Sequence, residues 1–184
     1  RTWQNKQKQN APVQRTGAFC NEVAMFSITL LCMGKLKEKF YTAAAEEYSK
    51  RLRAFADFRI VELPEYRLPD DPNETQIAQG LAREAEAIRK TIPKGAWLCV
   101  LTPEGRLLSS EELASALHSV KTGGRSAACF LIGSSFGIDP SIKAMADLKL
   151  SMSKMTFPHH LARVMALEQL YRAESIQAGT KYHK

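Results

Sequence analysis

The sequence predicts an α/β protein with a parallel sheet covered by helices on both faces. Two observations lead there. From Phe26 onward, short apolar runs alternate with helical stretches. Several of those runs are almost unbroken in Val, Ile, Leu, Cys and Phe, as in strands buried on both faces. A third observation concerns function. The loops after Leu101, Ile132 and Leu150 are rich in Gly, Ser, Thr or Pro. They stand at the carboxyl ends of expected strands, where ligands of open α/β sheets bind.

The elements follow in order. Phe26 to Met33 reads as a strand closed by Gly34, and Glu38 to Ala54 as a helix. Phe58 to Leu63 alternates as a strand, and residues 64–72 form a loop with three prolines. Asn73 to Thr91 is a helix rich in Ala, Glu and Arg. Ala96 to Leu101 is a strand, after which Pro103-Glu104-Gly105 is expected to turn the chain. Ser109 followed by Glu112 offers a capping box for a helix running to about Val120. Ala127 to Ile132 is an apolar strand leading into Gly133-Ser134-Ser135-Phe136-Gly137. Asp139-Pro140 supplies an N-cap and then proline at the first helical position. Asp147 to Leu150 is a short strand, and His159 to Ile176 the final helix.

The chain has 184 residues, the size of one domain, and is 45% hydrophobic, enough for a real core. Its net charge is +7. Residues 1–24 hold four Lys/Arg and one acid, and residues 141–184 hold seven and three, so the middle is neutral. A basic balance favours an anionic partner, nucleic acid first. Residues 1–24 are rich in Gln and Asn, lack periodicity and do not begin with Met, so they are expected to be a leader outside the fold. Residues 25–184 are expected to form the single domain. Cys32, Cys99 and Cys129 sit in apolar runs, Cys20 does not, and none shows C-x-x-C spacing. Buried reduced thiols in a cytoplasmic protein are expected. No apolar run approaches the roughly 18 residues of a membrane span, and no third ligand accompanies His159-His160 at metal spacing.

The densest signal is the stretch from Leu150 to His160, small, hydroxyl and sulfur-bearing residues ending at Pro158 and two histidines. It reads as a buried loop that offers its backbone to a ligand. His159 and His160 stand where exposed helix amides could take a phosphate, or they are simple cap residues. The Gly133–Gly137 segment is either a close-approach loop or an ordinary turn; it has no P-loop lysine. Glu168 and Arg172 are spaced as a helix-surface pair. Leu161, Val164, Met165, Leu167, Leu170 and Tyr171 form a broad apolar face, suited to core or to a subunit interface. Tyr182 and His183, between two lysines, suit a base and a phosphate.

Taken together, Met33-Gly34-Lys35-Leu36-Lys37-Glu38, Leu131-Ile132-Gly133, the block from Leu150 to His159, Leu167 to Ala173, and Tyr182-His183-Lys184 resemble one family. It is the ribosomal RNA large subunit methyltransferase H family of the SPOUT superfamily, and the resemblance covers residues 25–184. It implies a homodimeric α/β fold whose C-terminal segment threads a deep trefoil knot. It also implies methyl transfer from S-adenosylmethionine to N3 of a pseudouridine in 23S ribosomal RNA, within the assembled 70S ribosome. By the same resemblance Leu101, Gly133, Met152, Ser153, Lys154, Met155, Thr156 and Phe157 bind the cofactor. His183 is the candidate base and Tyr182 a stacking partner. Arg163 is a candidate anion contact in the catalytic set, and His159, Arg172 and Lys184 are candidate RNA contacts. No metal is needed, because the sulfonium is already activated. The family usually has a second glycine where this chain has Ser134, which costs little if that residue has negative φ and is strained if φ is positive. Two other readings stay open: a non-catalytic ribosome-binding factor with this fold, and a SPOUT enzyme acting on tRNA.

Overall fold

Two central strands, β1 (Ser27–Met33) and β4 (Ala127–Ile132), are buried on both faces. That is why their sequences are unbroken apolar runs rather than alternations. β2 (Asp57–Leu63) flanks β1, while β3 (Trp97–Leu107) and β5 (Leu148–Ser151) extend the sheet beyond β4. The order is β2-β1-β4-β3-β5, and every pairing is parallel. The computed structural model describes residues 25–182. The expected leader, together with Cys20, His183 and Lys184, lies outside the described residues.

The helices are α1 (Lys39–Leu52), α2 (Glu74–Thr91), α3 (Ser110–Thr122), α4 (Pro140–Met145) and α5 (His159–Gln177). Capping chemistry fixes three of their starts. The Ser109 hydroxyl accepts the Glu112 N–H, and the Glu112 carboxylate accepts the Ser109 N–H. Asn73 and Gln76 make the same reciprocal pair before α2. Asp139 accepts the Ser141 N–H ahead of α4, whose first residue is Pro140. α5 has no side-chain cap, so packing holds it.

α1, α3 and α5 cover one face of the sheet, where Leu52, Leu117, Leu167 and Leu170 meet Ile28, Leu30 and Phe130. α2 and α4 cover the other, where Ile88 and Ile142 meet Leu31, Val100 and Leu131. Each such side chain contributes roughly 1.5–3 kcal/mol on burial. α5 packs against both α1 and α3. Lys121 of α3 reaches the buried Glu174 of α5 at 2.6 Å. Cys32, Cys99 and Cys129 are buried free thiols. Burial pushes Cys32 and Cys129 up to about 12 and raises Cys99 further, so they stay protonated and unreactive. Among the described residues no helix is long and apolar enough to cross a membrane.

One expectation fails. Pro103-Glu104-Gly105 does not turn the chain; β3 continues to Leu107, with an irregularity in its pairing to β5 between Leu101 and Arg106. Residues with turn chemistry serve here as a bulge. Gly105 lets the two chains approach: an added Cβ would stand 2.6 Å from the Leu150 carbonyl carbon and 2.7 Å from the Ser151 nitrogen. Gly105→Ala is therefore expected to destabilise the protein by about 3 kcal/mol, because backbone, not a flexible side chain, must move. An unchanged denaturant midpoint would refute this.

Candidate active site

β3 and β4 are neighbours, but the helices that follow them, α3 and α4, pass to opposite faces of the sheet. This opens a crevice at their carboxyl ends. A cavity of about 700 Å³ lies there, walled by the chain around Leu101–Pro103, Ile132–Ile138 and Leu150–His159. Its size suits a cofactor-sized ligand. These are the three loops singled out in the sequence.

The second loop is built on a close approach. A Cβ on Gly133 would lie 2.4 Å from both the Gly137 carbonyl oxygen and Ile138 Cγ1, so the backbone itself forms the wall. The loop closes through the Gly137 N–H, which donates to the Ser134 carbonyl at 3.0 Å. Gly137 takes φ 98°, a left-handed conformation that glycine tolerates. No described residue other than glycine has positive φ, so Ser134 sits in the family's glycine position without strain. Its hydroxyl donates to Glu84 Oε2 at 2.9 Å, and Glu84 Oε1 accepts the Tyr66 N–H at 2.9 Å. Burial raises the Glu84 pKa, and the Tyr66 and Ser134 bonds offset only part of that rise.

The third loop departs from the expected buried loop. Lys154, Met155 and Thr156 are exposed, Met155 by 73%. They form an outer rim whose polar groups are satisfied locally. The Ser151 hydroxyl donates to the Ser153 carbonyl at 2.9 Å, and the Met155 N–H donates to the Ser153 hydroxyl at 3.0 Å. Met152, Ser153, Met155, Thr156, Phe157 and His159 line the cavity, as do Leu101 and Gly133. Lys154 is not part of the wall: this tight turn carries it outside, with Ser153 and Met155 lining the cavity on either side.

The first loop is pinned from the side. Thr102 donates to Glu104, and Lys143 Nζ lies 2.6 Å from Glu104 Oε1. The bonds from Lys143 and Thr102 hold the Glu104 carboxyl down at about 2, from an ordinary 4.5. A depressed carboxyl contributes stability above its unfolded pKa and loses it as pH falls through the folded one. The contribution is therefore full above about pH 5 and lost between there and about pH 2. Its size is small, because Glu104 is half exposed. Glu104→Gln should flatten the melting temperature against pH in that window; a parallel downward shift at all pH values would refute it.

The start of α5 faces the ends of β1 and β2. His159 Nε2 stands 3.8 Å from Glu65, and His160 Nδ1 3.2 Å from Glu38, with the two rings 4.2 Å apart. Burial, then the neighbouring His160, lowers the His159 pKa. Arg163 lies in the interior and is not part of the cavity wall. It has no exposed surface. Its guanidinium binds Glu62 at 2.5 Å and donates to the Met33 and Gly34 carbonyls at 3.3 and 2.9 Å. It fastens α5 to β1 and β2.

Tyr182 folds back along α5 beside Arg172 and Glu168. The Tyr182 hydroxyl donates to Glu168 at 3.1 Å, and its ring stacks under the Arg172 guanidinium at 4.8 Å. Burial, then hydrogen bonding, pushes its phenol up to about 12, so it is no base at neutral pH. Arg172 pairs with Glu168, as the spacing predicted. Glu168 and Arg172 follow the wall residue His159 by 9 and 13 positions on α5, which at 1.5 Å each puts roughly 14–20 Å along the helix between this group and the cavity wall. The sequence reading missed Glu84, Thr102, Glu104 and Lys143. A mid-helix Glu84, 50 residues from Ser134, leaves no local signal. Glu104 was visible only as a turn residue. Among the described residues no three His, Cys, Asp or Glu gather as a metal site.

Comparison with known proteins identifies the family. The family described as "Predicted SPOUT methyltransferase" matches residues 26–183. A protein of Moorella thermoacetica named ribosomal RNA large subunit methyltransferase H is 43% identical over 160 residues, 87% of this chain and 100% of the relative. Proteins of the same name from Acetivibrio thermocellus and Bifidobacterium adolescentis are 43% and 45% identical, each over 157 residues, 85% of this chain and 99% of theirs. A match that spans the whole described fold, at this identity, includes the sheet, the cavity loops and the C-terminal helix together: the chain belongs to the ribosomal RNA large subunit methyltransferase H family of SPOUT methyltransferases.

Proposed function

We propose that this protein methylates N3 of a pseudouridine in 23S ribosomal RNA, acting in the cytoplasm on the assembled 70S ribosome. The observation that carries the reading is the cavity at the ends of β3, β4 and β5, with its wall of bare backbone at Gly133. S-adenosylmethionine is the methyl donor of SPOUT methyltransferases. The residues fit it: a volume near 700 Å³, apolar side chains from Leu101, Met152 and Phe157, and backbone groups beside hydroxyls at Ser153 and Thr156. When bound, it supplies a methyl group already activated by the sulfonium. The chain's own task is to align the acceptor nitrogen and exclude water.

The acceptor imide must also lose its N3 proton. We assign that proton to His183, with Tyr182 stacking on the base and His159, Arg172 and Lys184 contacting the RNA backbone. Arg163 acts at a distance, as the residue that positions α5. The Tyr182 hydroxyl sits at Glu168, roughly 14 Å along α5 from the cavity wall at His159 of its own chain. A homodimer resolves this if the tail of one copy serves the cavity of the other. The half-buried Leu161, Val164, Met165 and Tyr171 of α5 offer an apolar face for that second copy. Membership of the SPOUT family supports a chain threaded as a trefoil knot, within a single domain over residues 25–184.

The test is methyl transfer from labelled S-adenosylmethionine to 70S ribosomes, 50S subunits, free 23S RNA and tRNA. The proposal expects label on 70S alone, mapped to a pseudouridine. Label on tRNA, or cofactor binding without transfer to any ribosomal substrate, would overturn it.

A further inference from the structure

Glu84 is 6% exposed, belongs to α2, and contributes no atom to the cavity wall. Both of its carboxylate oxygens are nonetheless engaged by loops at the cavity. Oε2 accepts the Ser134 hydroxyl, and Oε1 accepts the Tyr66 N–H, each at 2.9 Å. Ser134 stands in the wall, next to Gly133. Tyr66 follows Glu65, which faces His159, another wall residue. One buried carboxylate thus spans two loops that approach the cavity from different strands, β4 and β2.

We propose that Glu84 is a positioning residue for the cofactor loop, acting through the Ser134 hydroxyl. A hydrogen bond to a charged acceptor at a buried site is stronger than a neutral one. The 133–137 loop is otherwise closed on itself by one backbone bond, from Gly137 to Ser134. With glycine at 134 the loop would have no side chain to reach α2. In this chain the Ser134–Glu84 bond anchors the wall before ligand arrives, so the ordering cost of binding is lowered. The bond touches neither the methyl acceptor nor the tail groups. Its loss should therefore weaken cofactor binding and leave turnover at saturation nearly intact.

The inference rests on the cofactor assignment above, and calorimetric titration of the full chain with S-adenosylmethionine tests the two separately. If the unaltered protein shows no binding, the cofactor assignment fails and this inference with it. If it binds, Ser134→Ala is expected to raise Kd about 5–10-fold, less than the roughly 13–160-fold of a whole charge-assisted hydrogen bond because the bond reaches the ligand only through the order of the loop, and Ser134→Thr, which keeps the hydroxyl, to stay within about twofold. KM for the cofactor should rise with kcat changed less than about twofold, since uniform binding alone is lost. In a Glu84→Gln background Ser134→Ala should add little, as coupled neighbours do. Unchanged affinity in Ser134→Ala would overturn the inference. So would an equal loss with and without the Glu84 carboxylate. Should Glu84→Gln fail to fold, the Ser134→Ala and Ser134→Thr pair decides it alone.

Discussion

Gly133→Ala is expected to abolish useful cofactor binding, with affinity for S-adenosylmethionine falling by about a hundredfold or more. The methyl group would arrive 2.4 Å from the Gly137 carbonyl oxygen and 2.4 Å from Ile138 Cγ1. Neither can yield cheaply. Ile138 is buried, and the Gly137 carbonyl belongs to the tight turn that closes the loop. The wall must move outward by about an ångström, and a displacement of that size at a binding site costs about a hundredfold. The global fold should survive, since the loop is at the edge of the core. Calorimetric titration with a parallel thermal melt checks this. Affinity within threefold of the unaltered protein would show that the wall is not the binding surface.

Arg163→Leu is expected to cost about 3 kcal/mol of stability, near the lower end for a broken buried ion pair. The substitution removes a guanidinium with no exposed surface. It leaves the Met33 and Gly34 carbonyls without their donor and Glu62 without its partner. Glu62 is about one-third exposed, so water recovers part of its solvation, and the lower end of the range applies. For a domain of this size the melting temperature should fall by roughly 6–12 °C. Arg163→Lys should not restore it, because one ammonium cannot reproduce a fork that spans a carboxylate and two carbonyls. Unchanged melting would return Arg163 to the list of anion contacts. The α5 start also carries His159 and follows the 152–157 rim directly, so cofactor affinity should weaken in the same variant.

The strand order of events along the chain was legible because it is local. Continuous apolar runs at 27–33 and 127–132 marked the central strands, and Ser109/Glu112 and Asp139-Pro140 marked helix starts through capping bonds three residues long or shorter. The loops after β4 and β5 announced a site by composition. The error at Pro103–Gly105 has the same origin. Turn residues and bulge residues share a chemistry, and only the approach of β5 distinguishes them. The 154–156 rim was read as buried because it lacks charge clusters, whereas its polar groups are satisfied within the loop.

What the sequence determined by itself was the α/β class, the parallel character of the sheet, the positions of its elements and, through a handful of motifs, its family. Those depend on periodicity, capping and residue type, which act within a few positions. The tertiary structure alone decided that Arg163 is a buried fastener and that Glu84 holds Ser134 from another element. Those depend on which groups meet across 50 to 130 residues of chain. A charged side chain carries no mark in the sequence of whether its partner will be an RNA phosphate or a carboxylate brought up by the fold; burial decides, and burial is a property of the packed sheet.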